Sequence, residues 1–163
     1  MDDRSEMREL RRLFEQSPYS DEFLQLRRAS KWGERIREEV IKQIEEHRPE
    51  AVEDGILFLE ENPRYFRTGY FKAAIASKLK SAPLTTDQQH RLLEVILRAI
   101  TSADVGPEFN EYARLAAIIA TPEFVKRVVS TRDNSSDWSR QRCERLLSHF
   151  PTAFYDPNSV KGE

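Results

Sequence analysis

The stretch from Tyr65 to Ile100 constrains this chain most, because its first half is apolar around nearly the whole circumference of a helix. From Tyr65 to Lys80 the apolar positions are Tyr65, Phe66, Tyr70, Phe71, Ala73, Ala74, Ile75, Ala76 and Leu79. A helix of this kind has to be packed on more than one side. The alanines predict close approach by neighbours, and Phe66, Tyr70 and Phe71 are expected to supply large buried surfaces. Ser81-Ala82-Pro83-Leu84 breaks the helix, and Thr85-Thr86-Asp87-Gln88 matches a capping box that opens the next one. That helix carries Leu92, Leu93, Val95, Ile96, Leu97 and Ile100. So short a connection predicts that the two helices lie antiparallel as a hairpin.

The rest of the chain reads the same way. Met7, Leu10, Leu13 and Phe14 recur at helical spacing within residues 3–16, and Ser17-Pro18 ends that helix. A second helical region starts near Ser20 or Asp21 and runs to His47, with Ala29, Trp32, Ile36, Val40, Ile41 and Ile44 on one face. Arg35 with Glu39 and Glu38 with Lys42 are i,i+4 pairs on the opposite face. Gly33 either sits inside that helix or divides it in two. Pro49 opens a helix with Val52, Ile56, Leu57 and Leu59 that Asn62-Pro63 closes. After the loop 104–107, Phe109, Tyr112, Ala113, Ala116 and Ile119 mark another helix. Thr121-Pro122-Glu123 starts a short one with Phe124, Val125, Val128 and Val129. Residues 131–136 read as a polar loop. A last helix over 137–150 points Trp138, Cys143, Leu146, Leu147 and Phe150 toward a core, and residues 151–163 form a tail.

Seven or eight helices with short connections and no strand-like alternation predict an all-α fold of stacked antiparallel hairpins, an irregular α-solenoid or bundle. With 163 residues, one domain over 1–150 is expected. Phe71-Lys72-Ala73-Ala74-Ile75-Ala76-Ser77-Lys78-Leu79 resembles the second helix of a HEAT-type repeat, the armadillo-like class of helical repeat proteins. Glu61-Asn62-Pro63-Arg64-Tyr65, followed by Tyr70 and Ala74, resembles instead the junction between tetratricopeptide repeats. That pattern's 34-residue period is not kept, so the HEAT-like reading is preferred. The resemblance implies a scaffold or protein-binding surface.

Charge supplies the candidate binding surface. The formal net charge is −2, which excludes a global cationic field. Residues 34–61, however, hold four Arg or Lys against ten Asp or Glu, whereas residues 64–100 hold seven against two. Neighbouring helices of opposite charge neutralise one another on one reading. On the other, Arg64, Arg67, Lys72, Lys78, Lys80, Arg91 and Arg98 form a basic face. The expected partner is another protein, with nucleic acid on the basic segment 64–98 as the alternative.

Chemistry-bearing motifs are sparse. Asp87 and His90 share a helix face, but Asp87 also suits a first helical turn. Glu45, Glu46, His47, Glu50 and Glu53 cluster without the second Glu-x-x-His that a dinuclear helical site requires. Cys143 reads as structural, and a single cysteine fits a reducing compartment. With no phosphate-cradling glycine loop, G-x-S-x-G or H-E-x-x-H, the expectation is a cytoplasmic, non-catalytic protein without cofactor, metal or membrane segment.

Overall fold

The fold comes from a computed structural model that describes residues 3–17, 20–22, 25–26, 39–64, 68–103 and 105–151. Eight helices lie among them: α1 (Asp3–Gln16), α2 (Ile41–Glu45), α3 (Pro49–Glu61), α4 (Thr68–Leu79), α5 (Thr86–Thr101), α6 (Glu108–Ile119), α7 (Pro122–Asp133) and α8 (Asp137–Leu147). The described residues contain no strand, and the architecture is all-α. The expectations for Ala29, Trp32, Gly33, Ile36, the Arg35 and Glu38 pairs, Tyr65, Phe66, Arg67 and the tail beyond Pro151 fall outside the described residues.

Local chemistry accounts for the helix ends. Thr85 and Gln88 form the capping box in full: the Gln88 N–H donates to Thr85 Oγ1 at 3.2 Å, and the Thr85 N–H donates to Gln88 Oε1 at 3.0 Å. Thr121 Oγ1 accepts from the Phe124 N–H at 3.2 Å, with Pro122 in the first turn. Pro49 opens α3. Asn62, with φ 47° and ψ 55°, closes that helix in the left-handed conformation that asparagine tolerates better than most residues. Helix α7 extends through Asp133, so the polar loop shrinks to residues 134–136. Helix α8 stops at Leu147, where turns carry the chain to Phe150.

Packing follows two rows. Helix α4 lies against α2 and most extensively against α6, and α6 in turn meets α8. On the other side α3 packs on α5, with α1 on α3. The rows meet where α2 and α4 touch α3, and where α5 touches α6 and α8. Helix α7 packs on α8. The short turn between α4 and α5 therefore does not make them close neighbours; each finds its main partners elsewhere. Having neighbours in both rows is what the all-round apolar character of α4 requires.

The core is built from Ile44, Val52, Ile56, Phe58, Leu59, Ile75, Leu79, Leu92, Ile96, Ile100, Leu115, Val128 and Leu146, all buried. Gly55 lets α2 and α4 approach α3: a Cβ there would sit 2.7 Å from Ile44 Cδ1 and 3.2 Å from Ile75 Cγ2. Two aromatics expected inside are outside. Tyr70 is 67% exposed and Trp138 41%, and Phe71 is only partly buried against the core. Lys72, between Phe71 and Ala73, takes an interior position instead, 3% exposed. No described helix is long and apolar enough to cross a membrane.

Candidate functional site

Of the seven basic residues, six are described, and they divide by partner. Lys78 Nζ lies 2.8 Å from Glu45 Oε1, joining α4 to α2. Lys80 Nζ lies 2.8 Å from Glu111 Oε2, and this hydrogen bond holds the Glu111 carboxyl below its ordinary pKa. Arg91 reaches two carboxylates of α3 at once, Glu60 at 2.7 Å and Glu53 at 2.6 Å, with Asp87 at 3.9 Å. The bond to Glu60 raises the Arg91 pKa above its already high ordinary value. Three of the pairs therefore join the basic segment to the acidic one upstream. Buried Lys72 donates to Asn62 Oδ1 at 2.6 Å and so braces the turn that ends α3.

Arg64 and Arg98 go elsewhere. Glu53 lies beside Gln88, Glu60 beside Arg91, and the end of α3 beside the end of α5, so the two helices run in the same sense. Because Asn62 and Pro63 stop α3 first, the last turn of α5 projects past it. A cavity of about 190 Å³ opens there. Leu59 and Asn62 border it from α3, Val95, Arg98 and Ala99 from α5, Arg64 and Ser102 from the segments after each, and Glu108 and Tyr112 from α6. Arg64 donates to Ser102 Oγ at 3.5 Å. Arg98 has no carboxylate at ion-pair distance among the described residues.

The cavity walls are fixed from behind. Arg142 of α8 donates to the carbonyls of Ala99 at 3.1 Å and Val105 at 3.3 Å, and also to those of Ile100 and Ser102. It thereby satisfies the end of α5, whose last carbonyls lack helical partners. Its guanidinium lies 4.7 Å from the Trp138 ring centroid and 5.6 Å from that of Phe109. Desolvation lowers the Arg142 pKa, and Glu108 opposes that shift. Ser139 Oγ adds a bond to the Ile100 carbonyl at 3.2 Å.

Glu108 is 4% exposed and accepts from the Gly106 N–H at 3.2 Å. Gly69 makes room for it, since a Cβ there would stand 3.0 Å from Glu108 Oε2. One turn along α6, Tyr112 is 3% exposed, and burial followed by the Glu108 charge raises its phenol pKa. Its hydroxyl has no hydrogen-bond partner among the described residues.

The basic pattern thus included two of the cavity's residues, Arg64 and Arg98. It missed Asn62, Ser102, Glu108 and Tyr112 of the lining, and Arg142 behind it. The signals for these were indirect: a polar Asn-Pro stop, and a glutamate and tyrosine four apart on a helix face otherwise given to the core. The Cys143 thiol is buried and desolvation pushes its pKa up to about 11, which disfavours a nucleophilic thiolate. No group of three or more His, Cys, Asp and Glu side chains is placed to hold a metal among the described residues. The chain matches no protein-family model, no curated protein and no solved structure.

Proposed function

We propose that this protein is a non-catalytic interaction module whose partner is another protein. One observation carries the reading. The exposed large hydrophobic side chains among the described residues are Tyr70, Ile118 and Trp138, and they fall one each on α4, α6 and α8. These three helices pack in succession along one row. Single exposed apolar residues are ordinary, but one on each of three successively packed helices supports a docking surface along that row. The HEAT-like resemblance of Phe71 to Leu79 supports the same reading by analogy of fold. The nucleic-acid alternative has less support, because Lys78, Lys80 and Arg91 already face carboxylates and phosphate binding needs several cations acting together. A cytoplasmic setting belongs to the same proposal, supported by the lone buried cysteine.

The test is the double variant Tyr70→Ser, Ile118→Ser, which leaves Trp138 in place over Arg142. Proteins crosslinked to the native chain in its own cells are compared with those crosslinked to the variant. The expected result is loss of a specific partner by a variant whose melting temperature is unchanged. An identical set of crosslinked proteins, or none with either chain, overturns the proposal.

A further inference from the structure

We infer that the cavity at the end of α3 is a binding site for a small oxyanion, a phosphate or carboxylate group held by Arg64 and Arg98. The site is independent of the apolar face on α4, α6 and α8. Its first support is Tyr112. Tyr112 is 3% exposed as a residue and borders the cavity, and its hydroxyl has no partner among the described residues and is not sealed from solvent. A donor held there is free to meet an acceptor that enters.

The second support is convergence of charge from two separate elements. Arg64 follows α3 and Arg98 lies on α5, and both border one small space. Guanidinium groups present paired N–H donors that match the oxygens of phosphate and carboxylate. Glu108 is the carboxylate among the lining residues and opposes an anion. It already accepts from the Gly106 N–H at the start of α6, where the helix dipole favours negative charge. The charged lining groups are two arginines and one glutamate. About 190 Å³ corresponds to roughly six water molecules and is below the size of pockets for drug-sized ligands. The space suits the charged end of a ligand rather than a whole cofactor.

The experiment titrates the full chain with inorganic phosphate and, separately, with acetate, using chloride to hold ionic strength constant. Binding is followed by calorimetry and by backbone amide shifts of Ser102 and Val105. Saturable binding of either anion, with Kd on the order of 1 mM or tighter, is expected, and the stronger of the two identifies the oxyanion class. Arg98→Gln should weaken it about tenfold or more, and Tyr112→Phe roughly three- to tenfold. Because Arg98 is exposed, its replacement spares the fold, so it decides the matter even where Tyr112→Phe unfolds the chain. Saturation by neither anion overturns the inference. Equal binding by the native chain and Arg98→Gln does so as well, by reducing the contact to nonspecific ion association.

Discussion

Arg91 and Arg98 lie two turns apart on the same face of α5, about 10 Å along its axis, and their surroundings differ completely. Arg91 is clamped between Glu53 and Glu60, which are themselves seven residues apart on the facing side of α3. Arg98 meets no such carboxylate among the described residues, because Asn62 turns the chain out of the helix before α3 reaches that level. Two identical side chains on one helix thus become a structural tie and the rim of a cavity. What separates them is where the neighbouring helix stops, and Lys72 buried against Asn62 holds that stop in place. Charge counted along a sequence says nothing about this difference.

The largest expected effect tests whether both arginines depend on one core. Phe58 is fully buried in α3, the helix that supplies the carboxylates and ends at the cavity. Phe58→Ala should cost about 3–5 kcal/mol in urea unfolding. Phe71, which the apolar pattern of α4 assigns to the core, is only partly buried, and Phe71→Ala should cost less, about 1–2 kcal/mol. If Phe71→Ala proved as costly as Phe58→Ala, α4 rather than α3 would be the element that organises both sites.

Next in size is Arg142→Ala, which addresses the cavity end alone. It removes donors from four carbonyls around the end of α5 and a cation stacked on Trp138. Some of those carbonyls can turn to water, so a loss of about 2–3 kcal/mol is expected rather than the full sum. Arg142→Lys should recover only part of it, since one ammonium cannot reach the same spread of acceptors. Hydrogen exchange should rise at Ala99 to Val105 and stay unchanged near Arg91. Equal loss of protection at both ends would remove the distinction between them.

Helix ends were legible in the sequence because their causes are local. Thr85 with Gln88, Thr121 with Pro122, and Asn62 with Pro63 each act within a few residues, and each holds in the structure. The all-α class follows from such signals together with apolar spacing. Depth within the fold was less legible, because it depends on which helix arrives opposite. The pattern placed Tyr70 and Trp138 inside and gave no reason to bury Lys72, whose ammonium donates to Asn62 in a turn ten residues away. Proximity in sequence also misled at the α4–α5 turn, where each helix packs mainly on others. The cavity could not be read at all: its residues come from 59 to 112, and it exists because one helix is shorter than its neighbour.

The smallest effect decides the comparison itself. Arg91→Ala breaks a two-carboxylate pair in which Arg91 and Glu60 are about a quarter exposed and Glu53 about half, so it should cost about 1 kcal/mol, the upper range for such pairs, because the geometry is bidentate to Glu60 and shared with Glu53. The loss should shrink as salt rises, since screening weakens the attraction in the native pair and the repulsion between the carboxylates left in the variant. Arg98→Ala removes an exposed side chain with no ion pair among the described residues, and its stability should stay within about 0.5 kcal/mol of native at any salt. Urea titrations of both variants at low and high salt measure the two costs together. A salt-sensitive loss at Arg98 as large as at Arg91 would mean that Arg98 is also a structural tie, and the division of this basic segment into paired and ligand-facing halves would fail.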